Sequence, residues 1–328
     1  MNYEIVDCID AGSEFCPCHL AESDECIICS QMCGKKFCDC INWKGVCIYQ
    51  EYCWNGNKAK EGRKEYLCKI INKVLLQENV IEFSILVSHK LCLDLCHPGS
   101  FVFLKIPNVN EFYNTPISIM EADTQENLIK VIIEIKGIKT KKINQLKEGD
   151  DISIKGPYWN GVQGIKNIGI SKEKTSLIIM NGIGQAPAIP VIKKLYSNGN
   201  KIICIVDKGG YEDVYVKKYL EMYNCDVVFC KILKNGELTE SVINIISKIL
   251  KSNDVNIIHI AAQDIMIYSI INYFKDEKIN FSCCNNAKMC CGEGICGCCT
   301  ARYKGHKLKR LCKTQTDPRN LFEGRRFI

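Results

Sequence analysis

The chain has 328 residues, of which 47% are hydrophobic and 24% charged, with a formal net charge of +6 and 24 cysteines. That length holds two or three domains with real apolar cores, and no uninterrupted apolar run reaches the ~18 residues of a membrane span. The N-terminal stretch Met1 to Asp7 carries acids where a secretion signal carries bases, so the expectation is a cytoplasmic protein with reduced thiols, whose clustered cysteines hold metal rather than disulfides.

Residues 1–62 form the first compositional unit. Ten cysteines fall between Cys8 and Cys53, with little periodicity, before the polar linker Asn55 to Gly62. The thiols come in tight pairs: Cys16 with Cys18, Cys26 with Cys29, Cys38 with Cys40. Cys33, Cys47, Cys53 and His19 are available to complete a site. Paired thiols two or three positions apart grip one metal readily, as one or more iron–sulfur clusters or as structural zinc. A unit of this size cannot close an apolar core unaided, so it needs metal or docking onto its neighbour.

Residues 63–160 switch to short β-rich runs: Tyr66–Leu76, Val80–Val87, Phe101–Ile106, Pro116–Ala122, Leu128–Ile135 and Asp151–Ile154. Short strands divided by turn residues predict a small antiparallel barrel. Residues 161–280 change rhythm again, with compact apolar runs Leu177–Met180, Ile202–Val206, Val227–Cys230 and Ile257–Ala261 separated by helical segments. This βαβ pattern predicts a parallel sheet. Its first strand runs through Gly182 and Gly184 into Pro187, a strand–turn–helix able to seat a pyrophosphate on free N–H groups. A ligand-free tight turn would use the same glycines. Asp207 ends the next strand, 23 residues beyond Gly184, where an acid can bind an adenosine ribose and favour NADH. The adjacent Lys208 pulls toward NADPH.

Residues 281–328 carry Cys291, Cys296, Cys299 and Cys312, with four, two and twelve residues between successive members. That spacing reads as a [2Fe–2S] ligand set. Gly292, Gly294 and Gly297 permit the backbone turns that aim amides at sulfur. Zinc competes, but its sites favour paired cysteines without a glycine at nearly every gap. Cys283, Cys284, Cys290 and Cys298 are alternative thiols nearby. The basic tail, with Lys304, Lys307, Lys309, Arg310, Arg319, Arg325 and Arg326, lacks aromatic interleaving and reads as a solvated or partner-facing surface rather than a nucleic-acid site. His89, His97, His259 and His306 lack ligand spacing and read as structural or surface residues.

Taken in order, these motifs resemble the electron-transfer subunit of the NAD-dependent dihydroorotate dehydrogenases, a branch of the ferredoxin reductase superfamily. The likeness covers residues 63–328 and rests on Pro98-Gly99-Ser100-Phe101, Thr115 to Ile119, Gly137 to Thr140, Gly156 to Gly161, Gly182 to Pro187, Ala261 to Met266 and the four-cysteine loop. The resemblance implies an FAD-binding barrel, an NAD(P)-binding α/β domain, a [2Fe–2S] loop and a partner catalytic subunit. It places Thr115, Pro116, Ile117 and Ser118 along the isoalloxazine, Gly137 and Thr140 at the FAD pyrophosphate, and Met266 in the last strand-end segment of the nucleotide domain. The chain departs from the family in having Thr115 where arginine is usual, Lys139 in the pyrophosphate turn, and Ala261-Ala262-Gln263 in place of Cys-Gly-Pro. The competing reading is a metal-rich nucleotide-binding scaffold that has lost flavin chemistry.

Overall fold

The computed structural model describes residues 6–40, 43–109, 114–303 and 307–322. Residues 1–5, Lys304, His306, Arg325 and Arg326, which figure in the sequence reading, lie outside them.

The first sheet is antiparallel and seven-stranded, in the order Thr115–Ser118, Phe101–Lys105, Asp151–Tyr158, Glu65–Gln77, Val80–Leu86, Leu128–Glu134 and Glu121–Asp123. Alternate residues Ile81, Phe83 and Ile85 point into its core with Val102, Leu104, Ile152 and Ile154. The expected small antiparallel barrel is borne out as an antiparallel sheet but not as a closed one. Among the described residues the ladder is open, and the expected strand Pro116–Ala122 is broken at Ile119 and Met120. The break has a hydrogen-bonding cause. Ile119 N–H donates to Ser100 O at 3.0 Å on one side, and Met120 N–H donates to Lys130 O at 2.9 Å on the other. Two residues thus carry the chain from one sheet edge to the opposite edge, which curls the sheet without pairing its ends.

The second sheet has the order Asp226–Phe229, Lys201–Asp207, Thr175–Asn181, Val255–Ala261, Asn280–Cys284 and Val162–Gln163. The first five strands are parallel and the last is antiparallel. Helices cover both faces. Ile178 and Met180 pack with Ala188, Ile192 and Tyr219 on one side, while Leu177 and Ile179 pack with Ile246, Ile267 and Ile270 on the other. Successive strands run outward from Thr175–Asn181 first one way and then the other. The ends of Thr175–Asn181 and Val255–Ala261 therefore flank a topological switch point, where α/β sheets bind ligands.

Two glycine motifs join the sheets by close backbone approach. A Cβ on Gly99 would lie 2.9 Å from Val162 N, and one on Gly161 would lie 2.6 Å from Gly99 O. The N-terminal module adds short helices His19–Glu22 and Ile48–Trp54 around a small apolar centre of Ala21, Met32 and Ile48. Its strand Asp7–Cys8 pairs antiparallel with Thr314–Gln315. No helix among the described residues is long and apolar enough to cross a membrane.

Candidate functional site

A cleft of about 800 Å³ opens between the two sheets at the switch point. Pro116, Ile117 and Ser118 line one wall, on an edge strand of the antiparallel sheet. Gly182, Gly184 and Pro187 line the opposite wall, where Thr175–Asn181 turns into helix Gln185–Ser197. Pro187 sits in the first turn of that helix, where its missing N–H would have had no intrahelical partner. Gly182 adopts φ +53°, whereas a Cβ on Gly184 would lie 2.0 Å from Ala261 O. Gly184 is therefore required by the neighbouring strand end whether or not a ligand is bound.

The remaining sequence-selected residues fall elsewhere. Thr115 is buried in the ladder opposite Leu104, and Met266 is buried in the core beneath the parallel sheet. Gly137 caps helix Ile138–Ile143, and Thr140 Oγ1 accepts the N–H groups of Lys136 and Gly137 at 3.0 and 3.3 Å. A Cβ on Gly137 would meet nothing within 4 Å, so protein packing does not account for a glycine there. Lys136 lines the cleft, and Lys139 Nζ donates to Asn114 O at 3.2 Å. Both carboxylate oxygens of Asp207 accept backbone N–H groups, from Gly209 and Ile232, each at 2.9 Å. Asp207 thereby shapes the Gly209–Tyr211 loop, which does line the cleft.

The third wall comes from the chain leading into the cysteine loop, namely Asn285, Asn286, Ala287 and Met289. Within the loop, Cys291 Sγ accepts N–H groups from Glu293 at 3.3 Å and Cys296 at 3.5 Å. Gly292, Gly294 and Gly297 all have positive φ, between 70° and 80°. Amides turned onto a sulfur in this way are what a thiolate ligand of a cluster needs. Cys299 and Cys312 are buried and adjacent, and a hydrogen bond from Cys312 holds the Cys299 thiol down to about 6. Among the described residues, Cys290, Cys296 and Cys298 have sulfurs all within 4.8 Å of one another, on the exposed side. Cys296 thus places its sulfur with Cys290 and Cys298 while its backbone N–H reaches Cys291.

Behind this loop lies a charged cluster that the sequence reading missed. Arg63 donates to both Asp10 oxygens at 2.9 and 2.6 Å and to Glu293 Oε2 at 3.0 Å. Lys313 Nζ donates to Asp10 at 2.5 Å and to Glu293 at 3.1 Å. All four side chains are buried. Burial alone would raise both carboxyls, but Lys313 and Arg63 outweigh it and hold Asp10 and Glu293 below the ordinary range. The Arg63 guanidinium also stacks 4.1 Å from the Phe15 ring and 4.7 Å from that of Tyr158. A sequence signal existed: Glu293 sits inside the cysteine loop and Lys313 directly follows Cys312.

Residues 67–161 match the oxidoreductase FAD-binding domain family. The chain is 26% identical over 251 residues to the dihydroorotate dehydrogenase B (NAD(+)) electron transfer subunit of Clostridium acetobutylicum, covering 75% of this chain and 91% of the relative. It is 29% identical over 215 residues to the same subunit of Fusobacterium nucleatum, covering 63% and 78%. Among solved structures, a chain of an NADH-dependent reduced ferredoxin-NADP oxidoreductase superposes with a TM-score of 0.62 at 21% identity, covering 77% of this chain and 87% of that one. Plasmodium falciparum ferredoxin-NADP+ reductase superposes at 0.51 with 21% identity, covering 67% and 96%. The fold is that of the ferredoxin reductases, and the chain resembles the electron-transfer subunits.

Proposed function

We propose that this chain is the electron-transfer subunit of a flavin-dependent oxidoreductase, passing electrons between NAD(P)H and a partner catalytic subunit through FAD and a C-terminal [2Fe–2S] cluster. One observation carries the reading. The flavin-side strand Pro116–Ser118, the nucleotide-side turn Gly182–Pro187 and the approach to the cysteine loop at Met289 line the same cleft. Three parts that the chemistry needs at one place come from segments more than 60 residues apart in sequence.

The residues present fit these groups. Pro116 and Ile117 offer apolar surface to a ring, and the Ser118 hydroxyl can approach its polar edge. Gly137 leaves open space for a pyrophosphate, with Lys136 and Lys139 supplying charge where the family's arginine is replaced by Thr115. Gly182 with the start of helix Gln185–Ser197 offers backbone N–H groups to a dinucleotide. Cys291, Cys296, Cys299 and Cys312 would hold the [2Fe–2S] cluster, with further metal in the N-terminal module. Bound FAD supplies the conversion between two-electron hydride transfer and one-electron steps. The protein's part is to orient nicotinamide and flavin and to keep bulk water from the cleft.

An oxygen-free NADH titration followed by visible absorption tests this reading. Loss of flavin absorbance together with bleaching of an iron–sulfur background is expected. A flavin-free spectrum that does not respond to NADH would overturn it in favour of a nucleotide-binding scaffold.

A further inference from the structure

The fold sorts the N-terminal thiols differently from their spacing. Cys8, Cys16, Cys18 and Cys26 line one small internal cavity beside Phe15 and Leu20. Cys29, Cys38, Cys40 and Cys47 line a second, beside Trp43 and Tyr49. The electrostatic neighbours follow this division except at the seam, where Cys26 accepts a backbone hydrogen bond from Cys29 and feels Cys29 ahead of Cys18. Cys16 feels Cys18 and Cys26, Cys8 feels Cys18, and Cys40 feels Cys38, Cys47 and Cys29. Cys26 and Cys29, which spacing would give to one metal, thus line different cavities. Cys33 and Cys53 line neither.

We propose that residues 6–53 hold two separate iron–sulfur centres, one bound by Cys8, Cys16, Cys18 and Cys26 and the other by Cys29, Cys38, Cys40 and Cys47. The proposal rests on the metal-bearing part of the reading above and not on its flavin part.

Thiol spacing distinguishes the occupant. Tetrahedral zinc with Zn–S of about 2.3 Å brings its sulfurs to about 3.8 Å from one another. Cys38 and Cys40 approach to 3.6 Å, but among the described residues no three thiols of either set lie within 4.8 Å of one another. A wider shell suits a multi-iron core. Lys313 lies within electrostatic reach of Cys8 and Cys18, opposed there by Asp10, and Lys44, which pairs with Asp7, lines the second cavity.

Placement supplies the purpose. A Cβ on Gly294 of the C-terminal loop would lie 3.0 Å from Leu20, which lines the first cavity. Lys313, next to Cys312, bonds Asp10, which also lines it. The first centre therefore abuts the C-terminal cysteine loop, and the second cavity adjoins the first at Ile28 and Ile48.

The test uses the full-length chain purified without oxygen. Iron, acid-labile sulfide and zinc per chain are measured together with electron paramagnetic resonance of the reduced protein. Cys8→Ala and Cys47→Ala should each remove about half of the module's iron and a different resonance, and the double variant should remove both. Cys33→Ala and Cys53→Ala should change neither. Flavin and C-terminal cluster signals in the same samples report that the rest of the chain is folded. Zinc in place of module iron would overturn the proposal, as would full iron in both single variants. Loss of both resonances from one single variant would overturn the separation into two centres. A flavin-free protein with module iron intact would sink the flavin reading and leave this one standing.

Discussion

Residues 6–62 bury Ala21, Met32 and Ile48 as their apolar centre, whereas the antiparallel sheet behind them buries Ile70, Ile81, Phe83, Ile85, Val102, Leu104, Ile152 and Ile154 among others. At about 25 cal/mol per Å² of buried apolar surface, the sheet can offset much of its ordering entropy and the module cannot. The module has a device the sheets do without, the buried Asp10–Arg63–Glu293–Lys313 cluster that fastens it to the cysteine loop, and the metal proposed above would be a second. One chain thus contains a region held by its own core and a region held by charge and, on the proposal above, by metal.

Metal removal is the strongest way to break the comparison. Structural metal contributes on the order of 10 kcal/mol to small domains that lack a core. Stripping metal anaerobically should therefore abolish amide-exchange protection in residues 6–62. Protection of strands Thr175–Asn181 and Val80–Leu86 should persist. Equal protection of the module with and without metal would show that its apolar centre suffices after all.

Arg63→Met comes next in size. It keeps most of the side-chain volume but leaves two buried carboxylates facing Lys313 alone, at a cost of about 3–5 kcal/mol. The loss should be local, seen as protease cleavage between residues 6 and 62 with the two sheets intact. A global loss of the same size would mean that the cluster supports the whole chain rather than the docking of one module.

How much of this was legible in the sequence depended on whether the cause was local. The runs Leu177–Met180, Ile202–Val206 and Ile257–Ala261 fall inside observed strands because a parallel strand buried on both faces is a continuous apolar run. Pro116–Ala122 reads as one short β-rich run, yet it breaks at Ile119, where the Ile119 and Met120 N–H groups donate to the carbonyls of Ser100 and Lys130. Asp207 was found by its distance from Gly184, but spacing does not reveal that both its oxygens accept backbone N–H groups. Asp10, Arg63, Glu293 and Lys313 come from distant parts of the chain, and only the fold brings them together. That Ser118 and Gly182 face one site was likewise an expectation of family resemblance rather than of any local pattern, and Met289 was singled out by neither.

Paired core truncations sharpen the comparison at a smaller scale. Ile81→Ala in the antiparallel sheet, where Ile81 is fully buried, should cost about 2–5 kcal/mol in denaturant unfolding. Ile48→Ala in the metal-loaded module should cost less than about 2 kcal/mol, since few apolar neighbours surround it. Equal costs would indicate that packing holds the module as it holds the sheet.

Acid separates the two regions with the smallest effect, and its sign follows from which state binds the proton. His259 is fully buried in the parallel sheet, with Nδ1 2.9 Å from Ser282 Oγ, and burial lowers its pKa from 6.5 to about 3. Between those values the unfolded chain takes up a proton that the folded chain refuses, so stability falls as pH falls through the window. The slope is about 1.4 kcal/mol per pH unit, or roughly 2 kcal/mol between pH 6.5 and 5. Asp10 and Glu293 behave differently: their carboxyls are held low when folded, so their contribution is intact above the ordinary carboxylate range and fades only below it. Mild acid should therefore weaken the parallel sheet while the module stays docked. Unfolding free energies at pH 7 and pH 5 should differ in the wild type and converge in His259→Gln. An unchanged pH dependence in that variant would move the titrating group elsewhere, and release of the module at pH 5 would reverse the order of the two regions.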